Sequence, residues 1–198
     1  MQHGARPQTF ALAVLLAATP GSIGPLAAQA AAPACQPQRP VEGRPSPYDS
    51  VSIPLGSATA LICYSRPSLR GRTMIGGEPV PYGKLWRTSA NEPTTLHLPI
   101  AADIAGLPVR PGSYALYTIP GPQDWVLIVN RSTSQWGHES QYTDAVREQE
   151  VGRVTVHSVR LDELVETFTI RAQPSGNGAT ELLLEWQNSR VVVLIRPT

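Results

Sequence analysis

Residues 113–130, Ser-Tyr-Ala-Leu-Tyr-Thr-Ile-Pro-Gly-Pro-Gln-Asp-Trp-Val-Leu-Ile-Val-Asn, contain two apolar runs separated by a turn. The runs 113–119 and 125–130 have the length of a strand and are rich in β-branched and aromatic residues. The Pro-Gly-Pro triplet between them is typical of a connection between two strands of a hairpin. Because 125–129 is apolar at every position, we predict a central strand that is covered on both faces.

The same texture continues over the rest of the chain from Ser50 onwards. Short apolar or alternating runs, punctuated by glycine and proline, predict seven further strands at 51–55, 58–64, 94–100, 153–157, 166–171, 181–186 and 190–196. Residues 174–178 and 187–189 have the composition of tight turns. Only residues 141–149 have the pattern of a short helix. Short strands at this spacing, without a long amphipathic helix, predict an all-β fold, a single β-sandwich or jelly-roll-like domain.

The composition favours this class and excludes several others. The 198 residues include 20 prolines and 16 glycines, which is too many for a helix-rich protein. Sixteen basic residues against 15 acidic ones leave a net charge of +1, which argues against a nucleic-acid partner. No apolar run reaches the roughly 18 residues of a transmembrane helix, so we predict no membrane span. We predict no cofactor and no metal, because His97, His138 and His157 lack the spacing of metal ligands.

Residues 1–30 have the features of a cleavable export signal. Arg6 supplies the positive start, residues 10–18 form the apolar stretch, and Ala28-Gln-Ala30 supplies the pattern of small residues at a cleavage site. We therefore expect cleavage near Ala30. The mature protein would then be periplasmic, associated with the outer membrane or extracellular.

Residues 31–47 contain five prolines and few large apolar groups, so we predict a Pro-rich flexible tether ahead of a domain over 48–198. Cys35 lies in this tether and Cys63 in the second predicted strand. In an oxidising compartment they can form a disulfide worth roughly 3 kcal/mol. Two free thiols are one alternative. Lipidation of Cys35 is another, disfavoured because Cys35 lies far beyond the apolar stretch.

A long loop over residues 65–93 has neither helical nor strand periodicity. Connections without structure that are longer than about 12–15 residues are uncommon in compact domains and are often functional. The loop holds four arginines, and its aromatic residues distinguish it from a disordered linker. Its prolines fix the backbone and its glycines permit sharp reversals. We therefore expect the loop to be folded onto the sheet.

This loop supplies most of a candidate binding site for a small anionic or sugar-like ligand. The site combines guanidinium, amide, carboxylate and aromatic groups from Arg66, Arg72, Trp86, Arg87, Asn91 and Glu92, with Tyr114 and Trp136 as neighbours outside the loop. The alternative is that the arginines pair with acidic residues of the same chain and fasten the loop to the sheet, the candidates being Glu78, Glu92, Asp49 and Asp144. For Trp136, the alternative to stacking on a sugar is capping the core.

Several stretches of the chain, taken together, resemble the bacterial DUF2911 family. In order, they are SPYDS (46–50), YSRPSLRGR (64–72), IGG (75–77), VPYGKLWRT (80–88), ANE (90–92), PGSYALYTIP (111–120), QWG (135–137), VETFTI (165–170) and LEW (184–186). The resemblance covers roughly residues 46–196 and includes the loop described above. It implies an exported, mainly β protein of unknown function, and it supplies neither a reaction nor a ligand.

Three functions remain open on the sequence. The first is a small-ligand-binding or accessory module of the bacterial envelope. The second is a small hydrolase in which Glu92 is the acid or base and an arginine stabilises the developing negative charge. The third is a purely structural envelope protein whose arginines are all paired. Neither Gly-x-Ser-x-Gly nor Ser-x-x-Lys occurs, so no motif identifies a nucleophile, and the oligomeric state stays open.

Overall fold

The computed structural model describes residues 1, 4 and 34–198, so the predicted export signal lies almost entirely outside the described residues. The strands of the described part are β1 (Tyr48–Leu55), β2 (Ala58–Ser65), β3 (Thr94–Leu98), β4 (Ala102–Ile104), β5 (Leu107–Val109), β6 (Gly112–Ile119), β7 (Asp124–Asn130), β8 (Glu150–Gly176) and β9 (Ala179–Pro197). A 3₁₀ turn, Glu139–Gln141, and one helical turn, α1 (Asp144–Arg147), lie between β7 and β8. Nothing helical in this part of the chain has the length and apolar character needed to cross a bilayer.

Within residues 34–198 the strands hydrogen-bond into one antiparallel sheet with the order β1-β2-β3-β6-β7-β8-β9-β4-β5. The predicted all-β class is confirmed, whereas a sandwich of two sheets is not. The sheet is continuous because β8 is long: residues 150–157 pair with β7, and residues 158–176 pair with β9. The tip of the β8–β9 hairpin folds back over β1, where the Gly56 amide donates to the Gly178 carbonyl at 2.9 Å.

The hairpin predicted from residues 113–130 is formed by β6 and β7. Its turn requires a glycine at position 121, because a Cβ there would collide with the carbonyl oxygen of Asp124. The central strand is covered on both faces, as predicted. Leu127 and Val129 belong to the main core, and Ile128 belongs to a second apolar cluster on the other side.

The two faces of the sheet carry different apolar clusters, and we call them the inner face and the outer face. The inner face carries the main core, in which Leu96 of β3 and Leu116 of β6 are buried. The outer face carries the smaller cluster, in which Tyr117 of β6 packs edge-on against Tyr142 with 4.7 Å between ring centroids. Residues 139–147 cover the outer face over β6 and β7. They do not cover the part of the outer face that β3 forms.

The structure differs from the sequence prediction at the short and the long strands. The pattern does not predict β4 and β5, which are three residues each, are joined by the turn at Ala105-Gly106 and include Pro108 within β5. It divides β8 and β9 into pairs of shorter strands, because polar residues outside the core interrupt the apolar runs while the strands themselves continue. The turn predicted at 187–189 is wrong: Gln187 has a φ of 57° and marks an irregularity inside β9.

Candidate functional site

Residues 34–47 are the described part of the predicted tether, and we call them the strap. Instead of extending into solvent, the strap is attached to the domain at its start by a disulfide between Cys35 and Cys63 of β2, with 5.6 Å between the Cα atoms. Of the three alternatives for the cysteines, the structure therefore contains the disulfide. A sulfur in a disulfide cannot also carry a thioether-linked lipid.

The middle of the strap is bound to the loop that follows β7. The Gln38 side-chain amide donates to the carbonyl oxygens of Thr133 and Gln135, both at 3.0 Å. The guanidinium of Arg39 lies over the ring of Trp136, 3.9 Å from its centroid. Trp136 therefore receives a cation of the strap on its face. This contact is a cation–π interaction, which contributes about 0.5–1 kcal/mol at exposed sites.

The end of the strap is held by an ion pair between Arg44 and Glu92. Arg44 Nη1 lies 3.0 Å from Oε1 and 2.9 Å from Oε2 of the carboxylate, and the two side chains are only 8% and 3% exposed. The remaining donors of Arg44 are also used, since Nε donates to the Pro40 carbonyl and Nη2 to the Arg39 carbonyl. Because both oxygens of Glu92 are bound by a guanidinium, this geometry favours an anchoring role for Glu92 over an acid–base role.

A groove of about 380 Å³ lies between the strap and the outer face of β3 and β6, and we call it the strap groove. Eight of its nine lining residues have polar side chains: Gln36 and Gln38 from the strap, Thr95, His97 and Ser113 from the sheet, and Thr133, Tyr48 and Glu92 beside them, with Ala34 as the ninth. The alternation of β3 explains the sheet residues. Leu96 and Leu98 are buried on the inner face, so Thr95 and His97 point to the opposite face.

His97 and Ser113 form a polar pair in this groove. They are directly opposite each other in the register of β3 and β6, and His97 Nδ1 lies 2.7 Å from Ser113 Oγ. Burial lowers the pKa of His97 below its usual value of 6.5, so the imidazole is neutral at pH 7. Burial, assisted by the negative charge of Glu92, raises the pKa of Tyr48 to about 12. The groove therefore presents a neutral imidazole and a protonated phenol at neutral pH.

Arg66 and Arg72 of the predicted site are engaged within the protein and do not line this groove. Arg66 pairs with Asp49 at 3.2 Å and donates to Thr169 Oγ1 at 2.9 Å, which ties the loop to β8. Arg72 folds back on its own loop, where Nε donates to the Leu69 carbonyl at 3.0 Å. Arg66 thus follows the alternative in which an arginine pairs with an acidic residue and fastens the loop to the sheet. Arg72 has no carboxylate partner in residues 34–198 and only braces its own loop.

Trp86 lies in the main core instead of beside a ligand groove. It is 7% exposed and stacks on Trp186 with 5.5 Å between ring centroids and an interplanar angle of 20°. Phe168 meets it edge-on at 5.2 Å, and its indole N–H donates to the Ser89 carbonyl. The loop is therefore folded onto the sheet as expected, but its indole faces inward.

Arg87 and Asn91 lie next to each other at the end of the loop. Arg87 Nη1 donates to the Asn91 carbonyl at 2.8 Å, and no carboxylate in residues 34–198 forms an ion pair with Arg87. Burial lowers the pKa of Arg87. Gly137 permits this packing, because a Cβ there would lie 2.8 Å from Arg87 Cδ. Asn91 donates through Nδ2 to Ser65 Oγ at 3.3 Å.

A second groove, of about 620 Å³, lies where β6 begins and β7 ends, and we call it the edge groove. Tyr114 lines it, and its hydroxyl donates to the Arg110 carbonyl at 2.9 Å. Arg110, Arg131 and Ser113 line it as well, so Ser113 is shared by both grooves. Of the eight predicted site residues, Glu92 thus lines one groove and Tyr114 the other. In the described part of the chain, no three potential metal ligands are clustered.

The sequence profile of one family, described as "Protein of unknown function (DUF2911)", matches residues 46–195. The chain belongs to the DUF2911 family. No curated protein and no solved structure matches the chain. The DUF2911 match includes both sheet faces described above but begins after most of the strap. Family membership therefore confirms the resemblance and leaves the function of this DUF2911 protein to be argued from its geometry.

Several residues that line the two grooves or hold the strap were not among the predicted site residues: His97, Ser113, Arg110 and Arg131 in the grooves, and Arg44 in the strap. One signal for His97 is present in the sequence, because alternation along β3 places it on the face opposite the core. For Arg44 the sequence offers no such signal. Its partner Glu92 is 48 positions away, and the strap has too few apolar residues to predict that it packs.

Proposed function

We propose that this DUF2911 protein is an exported binding module that takes a small saccharide-like ligand in the strap groove. The observation that carries the proposal is the polar lining of a groove whose volume of about 380 Å³ falls in the usual range of ligand sites, roughly 300–1,000 Å³. Hydroxyl, amide and imidazole groups supply both donors and acceptors. Such a lining suits a ligand with hydroxyl groups around its whole perimeter.

The charge of the strap groove favours a neutral ring. The carboxylate of Glu92 is neutralised by Arg44, and His97 is neutral at pH 7. No guanidinium in this groove is left to select an anion. The aromatic side chain of the lining is that of Tyr48, whose protonated hydroxyl can also donate a hydrogen bond.

The strap groove is also preorganised. The strap forms one of its walls and is attached by the disulfide at Cys35 and by the ion pair at Arg44. A wall that is ordered before binding lowers the entropic cost of binding. This supports a binding role over a purely structural one, in which a polar groove would need no fixed wall.

Export is the second part of the proposal. It is supported by the signal-like pattern over residues 1–30 and by the disulfide, because disulfides persist in oxidising compartments. Fractionation of cells that express the full chain, with N-terminal sequencing of the product, tests it. We expect an exported protein that starts close to residue 31, and an uncleaved cytoplasmic protein would contradict export.

Calorimetric titration with neutral disaccharides (maltose, cellobiose and N,N′-diacetylchitobiose) tests the binding site. We expect binding by the wild type and roughly tenfold weaker binding by His97→Ala, the loss of about one hydrogen bond. His157→Ala is the matched control, because His157 is an exposed strand histidine outside both grooves. Absence of binding by every disaccharide, or equal losses in the two variants, would contradict the proposal.

A second candidate function, ester hydrolysis, is favoured by the contact between Ser113 Oγ and His97 Nδ1 at 2.7 Å. A serine nucleophile needs a base within hydrogen-bond reach, and a neutral imidazole can accept its proton. In this reaction Ser113 Oγ bonds to the ester carbonyl carbon and the proton passes through His97 to the leaving alcohol. Water then hydrolyses the acyl-serine. This pair replaces Glu92 as the acid–base group of the hydrolase hypothesis.

Labelling with a fluorophosphonate and turnover of p-nitrophenyl acetate test this candidate. Both signals should be present in the wild type and absent in Ser113→Ala, while Ser134→Ala, an exposed serine outside both grooves, should retain them. No labelling of the wild type, or labelling that survives in Ser113→Ala, would eliminate the hydrolase.

A further inference from the structure

Two arginines of the edge groove have no side-chain partner in the described part of the chain. Neither Arg110 nor Arg131 forms a side-chain hydrogen bond or an ion pair with any residue in 34–198. Both residues are exposed and line the same groove of about 620 Å³. Most other arginines near the sheet are occupied: Arg44, Arg66, Arg153, Arg171, Arg190 and Arg196 all have carboxylate partners.

The strand geometry explains why these two arginines share a groove. Arg110 directly precedes the turn into β6, and Arg131 directly follows β7. In the antiparallel register of β6 and β7, Ala115 is opposite Asn130, so the start of β6 runs past the end of β7. A register shift between β7 and β8 follows at Asn130, and Val151 completes the lining. The two arginines therefore lie on different chain segments at the same end of the β6–β7 pair and line one groove.

The local carboxylates do not neutralise this pair. Glu150, the acidic residue closest in the register to Asn130, is bound by Arg153 at 2.7 Å and by the Tyr142 hydroxyl at 2.8 Å. Asp103 has Arg196 as its ion-pair partner. The edge groove is thus lined by two arginines that have no ion-pair partner in residues 34–198, in a chain whose net charge is only +1. Two guanidinium groups are suited to binding a carboxylate, phosphate or sulfate group.

The two grooves meet at Ser113. Ser113 is exposed and lines both grooves, and its hydroxyl oxygen lies 2.7 Å from Nδ1 of His97 in the strap groove. A ligand that extends from the strap groove past Ser113 would therefore reach the edge groove. The first groove is neutral and rich in hydroxyl and amide groups, whereas the second is cationic.

We propose that the strap groove and the edge groove form one composite site for a saccharide that carries an acidic group. The sugar ring lies against Thr95, His97 and Ser113, and the anionic group is bound by Arg110 and Arg131. This inference rests on the proposed function and adds the chemical class of the ligand. It also gives Arg110 and Arg131, which do not stabilise the fold through side-chain contacts, a role in binding.

Calorimetric titration with matched neutral and acidic saccharides tests the composite site. The pairs are glucose with glucose 6-phosphate, and maltose with its uronic acid analogue; inorganic phosphate alone is a third probe. We expect the acidic member to bind at least tenfold more tightly than the neutral one at low salt, a preference that weakens as the ionic strength rises. The variants Arg110→Gln and Arg131→Gln should lose that preference and keep the affinity for the neutral member.

Arg160→Gln is the matched control, because Arg160 is an exposed arginine without a side-chain partner in residues 34–198 and lines a different cavity. It should leave both affinities unchanged. An equal affinity for acidic and neutral members, or a preference that survives in Arg110→Gln/Arg131→Gln, would overturn the composite site while leaving the neutral saccharide site intact. If phosphate bound but none of the saccharides did, both proposals would be overturned. Because all three arginines are exposed, thermal unfolding should be the same for every variant.

Discussion

The two faces of β3 and β6 differ in what covers them. On the inner face, Leu96 and Leu116 are buried in the main core, which also contains the aromatic cluster of Trp86, Phe168 and Trp186. On the outer face, His97 and Ser113 remain accessible in a polar groove under the strap. The arginine-rich loop, predicted to form the site, thus completes the core, and the segment predicted to be a tether builds the wall of the groove. One pair of strands supplies both a rigid base and a polar surface.

The largest effect on stability should come from removing a large side chain from the core on the inner face. We expect Trp86→Ala to lower the free energy of unfolding by about 3–5 kcal/mol, because the cavity lies at the centre of the aromatic cluster. Tyr82→Ala, an exposed aromatic residue of the same loop, should cost less than about 0.5 kcal/mol. Urea unfolding measures both. If the two variants lost equal stability, the loop would not be a part of the core.

The next effect concerns the buried ion pair that anchors the strap. We expect Glu92→Ala to destabilise the protein by at least about 3 kcal/mol, because Arg44 is then left buried without a counter-charge. Adding Arg44→Met to the Glu92→Ala variant should restore part of the lost free energy of unfolding. A double-mutant cycle by chemical unfolding checks this. Strictly additive losses would show that the two groups do not stabilise each other.

A slightly smaller effect is expected from the disulfide, and it separates the two faces most clearly. Cys35→Ala/Cys63→Ala should cost roughly 2–3 kcal/mol and should also weaken saccharide binding, since the wall of the strap groove loses one attachment. Trp86→Ala, measured at a temperature where it is folded, should bind saccharide normally. Loss of binding in the Trp86 variant with normal binding in the cysteine variant would reverse the roles assigned to the faces.

The smallest effect is the pH dependence that comes from His97. Its pKa is lowered in the folded state, so between that value and 6.5 the unfolded chain binds more protons. The stabilising contribution is therefore complete above pH 6.5 and is lost as the pH falls through the folded pKa. We expect a difference well under about 1 kcal/mol between wild type and His97→Asn across pH 5 to 7.5, reduced by solvent screening. If the plots of unfolding free energy against pH for the wild type and His97→Asn were parallel, the prediction would be wrong.

The sequence predicts the fold where local chemistry determines it. The β6–β7 hairpin follows from a Pro-Gly-Pro turn and two apolar runs, and both are local signals. The paths of β8 and β9 do not follow from local signals, since their pairing continues through polar residues outside the core, such as Arg160 opposite Ser189. Strand pairing satisfies the backbone whether or not the side chains show a pattern.

The candidate site was harder to predict because its contacts are distant in sequence. Arg66 contacts Thr169, 103 positions away, and His97 contacts Ser113, 16 positions away. Charged groups in a loop indicate that partners exist, but not which ones. Trp86 illustrates a second limit. An aromatic residue beside arginines has the same sequence pattern whether its ring faces a ligand or the core.

The most direct test of the account is to map where a saccharide binds. Backbone amide NMR spectra of the disulfide-bonded protein, titrated with the tightest-binding saccharide of the series above, identify the residues whose environment changes. We predict that the shifts are concentrated at Gln38, Thr95, His97 and Ser113, with the aromatic cluster around Trp186 unchanged. Shifts centred on the loop around Arg66 and Arg72, or no shifts at saturating saccharide, would contradict a binding site beneath the strap.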